Sequence, residues 1–470
     1  MVTARRSPAR NGGERVLQAP VFSQPQPTQD PTVFKTKHPS DGDAYDAITK
    51  LNAEHKLHAM PFPPPRGGVE PTLTLAQVFG GNTGAIDTIT KNGQIVFHAT
   101  GDCGSTRGPK TQNEVVDKMI GDFSETQQLE MPQFALLLGD IVYSFGEPEY
   151  YYDQFYEPYR NYHAPVLAAA GNHDGMISPL RHATSLEAYL RNFCADPGKG
   201  FVVTDEAGGL SRTAQIQPGV FFTFEAPFVR ILVFYSNTLE DPGVIADGTI
   251  GDSQIKFLKA ALQRIKRENF KGAVIFAHHH PCYAIGGQHS SSTDMRKQMD
   301  AVCADAGIWP HAVLAGHAHS HQRFTRHRSD GTEIPYIING NGGHNVTKLH
   351  AMRGSTLRAP QTVHVKTADD DEVTFENYDD SDYGYLRVIV DAEQLRIEYH
   401  QASDGPSLKA PDDFVTIDLK TRKRTMYKPN NLGYPHDADQ VRQVNAGAEP
   451  QPDVAKPKKP KKPAKRARRG

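Results

Sequence analysis

Five apolar runs in this chain end in the same way, and that repetition constrains the fold more than any other feature. IVFHAT runs into Gly101-Asp102-Cys103-Gly104, FALLL into Gly139-Asp140 with Tyr143 close behind, and APVLAAA into Gly171-Asn172-His173-Asp174. AVIFA runs into His278-His279-His280-Pro281, and HAVLA into Gly316-His317-Ala318-His319. A short apolar block closed by glycine or a polar cluster reads as a strand buried on both faces. In an α/β sheet, ligands bind in the crevice beyond the carboxyl ends of the strands. Five polar clusters at five such ends are therefore expected to meet in one place.

The stretch DSQIKFLKAALQRIKREN repeats apolar residues at Ile255, Leu258, Leu262 and Ile265, which predicts an amphipathic helix with Asp252 or Ser253 as its cap. Its stripe is core packing rather than a cofactor site. YGYLRVIVDAEQLRIEYHQ predicts two strands around a turn at residues 391–394. This alternation of strands, helices and turn clusters over residues 71–430 is the pattern of an α/β catalytic domain. Residues 1–70 are rich in Pro, Gln and Ser without a sustained hydrophobic period, and are expected to be irregular. Residues 431–470 are expected to form a disordered linker and a basic tail.

Of 470 residues, 38% are apolar and 23% charged, enough for a sizeable core. No apolar run reaches the roughly 18 residues of a membrane span. The basic start MVTARRSPARNGG leads into no apolar stretch, so no secretory leader is expected. Cys103, Cys194, Cys282 and Cys303 are scattered without a CxxC pair, which fits free thiols and a cytoplasmic location. The last fifteen residues, KPKKPKKPAKRARRG, carry nine basic residues and no acid; the net charge of −2 then leaves the rest of the chain near −11. Such a block is either a solubilising tail or an electrostatic tether to nucleic acid or an anionic membrane surface.

Taken singly, the five clusters have ordinary explanations. Gly-Asp after a strand is a common turn. Gly-Asn-His-Asp can be a hydrogen-bonded loop, and His-His-His-Pro a solvated one. In Gly-His-x-His the two imidazoles point the same way if the segment is extended, so they can ligate together. All five in one chain, each after a strand, exceed what turn chemistry explains. Carboxylate, imidazole, amide and phenol donors suit iron, manganese or zinc. They are too many for one ion. Two ions about 3.5–4 Å apart, bridged by one carboxylate, would use them all.

The series GDCG, GDIVY, GNHD, HHP and GHAH resembles the calcineurin-like metallophosphoesterase superfamily, and within it the purple acid phosphatase branch. PYIINGNGG (Pro335 to Gly343) and HAHSHQRF extend the resemblance, which covers roughly residues 90–400. It implies a sandwich of two mixed β-sheets flanked by helices, with the active site at the carboxyl ends of strands. It implies a first metal on Asp102, Asp140, Tyr143 and His319. Asp140 would bridge to a second metal held also by Asn172, His279 and His317. His173 would stand beside the scissile bond, oriented by Asp174, while His280 is a candidate substrate contact and His278 a less suitable ligand. The wider superfamily carries a histidine two residues after the first aspartate, where this chain has Gly104. Tyr143 stands where the purple branch supplies a replacement, which implies Fe(III) there and Fe(II), Zn or Mn in the second site.

The resemblance implies hydrolysis of phosphate monoesters by a metal-bound hydroxide. Phosphodiester or nucleotide pyrophosphate cleavage is the enzymatic alternative, and a tail-tethered binding protein on the same scaffold the non-enzymatic one. Arg107 and Arg323 are either phosphate contacts or solvated surface residues. Two departures bear on the site: Asp174 is one methylene shorter than the family's usual acid, and His321 replaces an aromatic that contacts substrate. The N-terminal segment is too short and too Pro-rich for the fibronectin-like domain of large family members.

Overall fold

The computed structural model describes residues 38–428, apart from residues 126, 128–129, 180, 287–288, 350–358, 360 and 364–370. The basic tail and the first 37 residues lie outside the described residues. In chain order the strands are β1 Thr72–Thr74, β2 Gln94–Thr100, β3 Ala135–Leu138, β4 Val166–Ala169, β5 Phe222–Ala226, β6 Val229–Val233, β7 Ala273–Ala277 and β8 Ala312–Ala315. They continue as β9 His321–His327, β10 Glu333–Asn339, β11 Gln361–Val363, β12 Glu372–Asp379, β13 Gly384–Asp391, β14 Gln394–Gln401, β15 Asp413–Asp418 and β16 Lys423–Tyr427.

They form two mixed sheets, of order β1-β5-β6-β7-β8-β10-β9-β12-β11 and β16-β15-β14-β13-β2-β3-β4. The five expected strands are β2, β3, β4, β7 and β8. The first three run parallel to one another in the seven-stranded sheet, and the last two parallel in the nine-stranded one. The hairpin expected over residues 384–401 is β13–β14, antiparallel throughout.

Side-chain alternation assigns each strand face to a layer. Phe97, Leu136, Leu138 and Leu167 of one sheet pack on Ile231, Ile275 and Leu314 of the other, forming the core between the sheets. Ala135, Leu137 and Val166 point the opposite way, into a second core shared with the helices. This two-sided burial is why the runs show no polar alternation; each fully buried Leu or Ile contributes about 1.5–3 kcal/mol. Helix Lys110–Glu125 presents Val115, Val116 and Met119 to that outer core. Ser253–Arg267 buries Phe257, Leu258, Ala261, Leu262 and Ile265, the expected stripe. Asp252 takes its N-cap position without a capping side-chain bond and instead pairs with Lys256 at 2.8 Å.

Within the segment expected to be irregular, Asp43–Ala53 is a helix. Only Ala44 and Ile48, one turn apart, are buried on it, against Phe145 and Met176. A two-residue stripe is too short to register as a period in the sequence. The four cysteines are buried free thiols. Among the described residues, no helix is long and apolar enough to cross a membrane.

Candidate metal centre

The five strand ends meet where the two sheets abut. The Gly101 N–H donates to the Asn339 carbonyl at 2.8 Å, and the Asp102 N–H to the Gly139 carbonyl at 2.9 Å. The Gly316 N–H donates to the His279 carbonyl at 2.9 Å. Three of the expected ligands then take left-handed backbone conformations: Asp102 at φ 57°, Asp140 at φ 54° and His317 at φ 68°. Non-glycine residues seldom adopt this region, which costs on the order of 1 kcal/mol each and turns the chain sharply at the strand end. Gly139, at φ +96°, has no room for a side chain, because a Cβ there would lie 2.5 Å from His279 Nδ1 and 2.8 Å from the Gly171 backbone.

Two groups of donor atoms result, and they share one oxygen. In the first, Tyr143 Oη lies 3.0 Å from Asp102 Oδ1, 3.1 Å from Asp140 Oδ2 and 3.4 Å from His319 Nε2. His319 Nε2 is 3.2 Å from Asp102 Oδ1. In the second, His279 Nε2 lies 3.1 Å from Asp140 Oδ2, 2.9 Å from Asn172 Oδ1 and 3.2 Å from His317 Nδ1. The shared atom is Asp140 Oδ2.

The tautomers show what the second group needs. His279 Nδ1 faces the Leu138 carbonyl at 2.8 Å and so carries the proton. His317 Nε2 faces the Glu240 carbonyl at 2.5 Å and does the same. With only that proton, each ring would turn a lone pair inward, toward a carboxylate oxygen and an amide oxygen that also present lone pairs. One shared proton cannot satisfy four such atoms; a cation can. The Asn172 Nδ2, on the far side of that amide, is buried without a hydrogen-bond partner. The residues of the second group therefore fit a metal ion, and the first offers two carboxylates, a phenol and an imidazole beside it.

Electrostatics agree. Burial depresses His279, but the Asp140 and Asp102 carboxylates outweigh it and raise its pKa to about 9, so the site attracts positive charge, and a metal ion would take the place of a second proton at Nε2. His317 is held well below its ordinary value, by burial and by the neighbouring imidazoles, and stays neutral and able to ligate. Burial, then the Asp102 and Asp140 carboxylates, push the Tyr143 phenol well above its ordinary value. A bound cation reverses that logic, since it is the largest local charge.

His173 packs on the Tyr143 ring with centroids 4.4 Å apart. Its Nδ1–H donates to the Ser144 carbonyl at 2.8 Å, which leaves Nε2 facing the centre, 3.9 Å from Asp140 Oδ2. Burial lowers its pKa, yet Asp140 and then Glu240 raise it above the usual histidine value overall.

Four expectations need correction. Asp174 does not orient His173. Its carboxylate accepts the N–H groups of Gly171 at 2.8 Å, Asp140 at 2.9 Å, Ile141 at 3.0 Å and Val142 at 3.4 Å. Its short side chain folds back over its own loop, so it positions Asp140, and the Ser144 carbonyl orients His173. His280 does not face substrate: its Nδ1 meets Ser236 Oγ and its Nε2 the Leu239 carbonyl, each at 2.7 Å. Arg323 is neither a phosphate contact nor a surface residue. It is fully buried on β9 and paired with Asp413 at 2.8 and 2.9 Å. His321 is likewise buried, 2.9 Å from Asp413 and stacked on Tyr399 at 4.0 Å. Both side chains serve the contact between the sheets. His278, the less suitable ligand, is buried with its Nε2 3.7 Å from Cys282 Sγ. Arg107 is exposed on the loop after Asp102.

Three residues near the centre escaped the sequence reading. His344 stacks on Tyr143 at 3.6 Å; it follows directly on the GNGG loop. The His289 ring lies 3.9 Å from that of His317, tilted by 46°. Glu240 lies just beyond the apolar run VRILVFYS, whose first five residues are β6, and that run is the signal that would have revealed it.

Residues 95–321 match the family described as calcineurin-like phosphoesterase. A probable purple acid phosphatase of Arabidopsis thaliana is 23% identical over 330 residues, covering 68% of this chain and 65% of that protein. The chain thus spans just under two thirds of that relative's length. A purple acid phosphatase from yellow lupin (Lupinus luteus) seeds superposes with a TM-score of 0.46 at 16% identity, covering 69% of this chain and 54% of the lupin chain. A Plasmodium protein described as the anchor in the inner membrane complex superposes with a TM-score of 0.42 at 15% identity, covering 70% and 91%.

Proposed function

We propose that this chain, a calcineurin-like phosphoesterase over residues 95–321 with a purple acid phosphatase-like ligand series, hydrolyses phosphate monoesters at a pair of metal ions. The observation that carries the reading is the sharing of Asp140 Oδ2 by the two donor groups. Asp102, Asp140, Tyr143 and His319 would hold one ion; Asp140, Asn172, His279 and His317 the other. A phenol among hard oxygen donors suits Fe(III), and the amide and two imidazoles suit Fe(II), Zn or Mn. Such a pair supplies a hydroxide nucleophile near neutral pH and positive charge for the phosphoryl oxygens.

The chain's own residues supply the rest. The left-handed turns hold the ligands before substrate arrives, so little reorganisation accompanies reaction. His173 keeps a proton at Nε2 and gives it to the departing alcohol oxygen, its ring fixed by the Ser144 carbonyl. Arg107, exposed on the loop after Asp102, would meet a phosphate oxygen. The alternative, a diester or pyrophosphate substrate, shares this centre. Rates on an aryl phosphate monoester and the matching diester distinguish them: faster monoester cleavage is expected, and faster diester cleavage overturns the reading.

A further inference from the structure

The helix Asp43–Ala53 lies outside the segment that matches the family, yet it is fastened to the loop that carries Tyr143. Ser40 Oγ donates to the Tyr143 carbonyl at 3.2 Å and accepts the Ser144 N–H at 3.1 Å. Ser144 Oγ donates to Asp41 Oδ1 at 2.7 Å. These bonds, with the burial of Ala44 and Ile48, fix where the helix places its one aromatic residue. The Tyr45 ring lies 5.6 Å from the His173 ring at 36°. Its hydroxyl donates to Glu240 Oε1 at 3.5 Å. Glu240 is 8% exposed, and its own carbonyl receives the His317 Nε2–H. An aromatic wall and a carboxylate thus stand together on the side of the centre where His173 meets the leaving oxygen.

We propose that Tyr45 and Glu240 are specificity-determining residues that select phosphate esters whose leaving group carries no further negative charge. The inference rests on the monoesterase reading above. A leaving group such as a nucleoside diphosphate would bring its charges against Glu240, and like charges brought together at a desolvated contact repel one another. A neutral aryl or alkyl group meets only the tyrosine face. The selection lies outside the metal ligands, so it can change without loss of the centre.

The test is kcat/KM of the full chain on 4-nitrophenyl phosphate and on adenosine triphosphate, with bound metal measured in every variant. The wild-type chain is expected to favour the aryl ester by at least about tenfold, and Glu240→Gln to narrow that gap on the order of tenfold by raising the triphosphate rate. Tyr45→Ala, on the outer helix, should narrow it as well and serves if the Glu240 variant fails to fold. A gap unchanged in a metal-loaded variant overturns the inference and leaves the monoesterase reading standing. A wild-type preference for the triphosphate overturns the inference alone. Inactivity of the metal-loaded wild type on both substrates overturns both.

Discussion

The space beside Gly104 belongs to Gln154. A Cβ on Gly104 would be driven into the Gln154 amide oxygen and stand 2.5 Å from the Ile141 carbonyl. That same amide clamps Tyr143, accepting its N–H at 2.9 Å and donating to its carbonyl at 2.9 Å. The space that a side chain at position 104 would need is thus filled by the group that holds the tyrosine in place.

The first prediction follows directly. Gly104→His should lose about 1–3 kcal/mol by overpacking. Gln154→Ala, which leaves two buried backbone groups unpaired, should lose about 2 kcal/mol. Thermal unfolding measures both. A Gly104→His chain as stable as wild type would show that the two positions do not compete.

Asp174 yields a second. Four backbone N–H groups face its carboxylate. Asn at this position offers one oxygen and turns an NH2 toward those donors. Asp174→Asn should cost about 3 kcal/mol and release metal, because Asp140 loses its support. If residue 174 acts only on His173, the variant should keep its stability and metal and lose turnover alone.

A third concerns pH. His311, at the end of β8 away from the site, is lowered to about 3 by burial and then by the Arg422 guanidinium. Its unfolded pKa is about 6.5. Between these values the unfolded chain binds the proton and the native chain does not. The stability His311 contributes is therefore complete above about pH 6.5 and is lost as pH falls toward 3, at about 1.4 kcal/mol per pH unit. His311→Gln should show a shallower fall of Tm between pH 6.5 and 4 than wild type. Equal slopes would contradict the assignment.

The strand ends were legible in the sequence because two-sided burial writes an uninterrupted apolar run, and a ligand needs glycine beside it for close approach. Hence Asp102, Asp140, Asn172, His279 and His317 could be placed in one crevice from the chain alone. The partners of side chains that reach across the fold could not. Arg323 reads as a phosphate contact or a surface residue until Asp413, 90 positions on, is seen beside it. His280 reads as a substrate contact until Ser236 and Leu239 are found on its two nitrogens. Asp174 reads as a catalytic partner because sequence shows adjacency to His173, and not that its carboxylate folds back under Asp140. Tyr45 and Glu240 lie 195 residues apart and meet only through the N-terminal helix.

A fourth prediction is spectroscopic. A tyrosine phenolate on Fe(III) should give a charge-transfer band in the visible, and Tyr143→Phe should abolish it with little change in fold. A colourless, iron-free and fully active chain would discard Fe(III) while leaving the phosphoesterase reading in place.

In the proposed function Asp140 would be a ligand shared by both metal ions. Metal analysis of the purified wild-type and Asp140→Asn chains tests it most directly. The expected result is about two ions per wild-type chain and fewer than one in the variant, since a bridging carboxylate serves both sites. A folded wild-type chain with no near-stoichiometric metal, or a variant that keeps both ions, would contradict it.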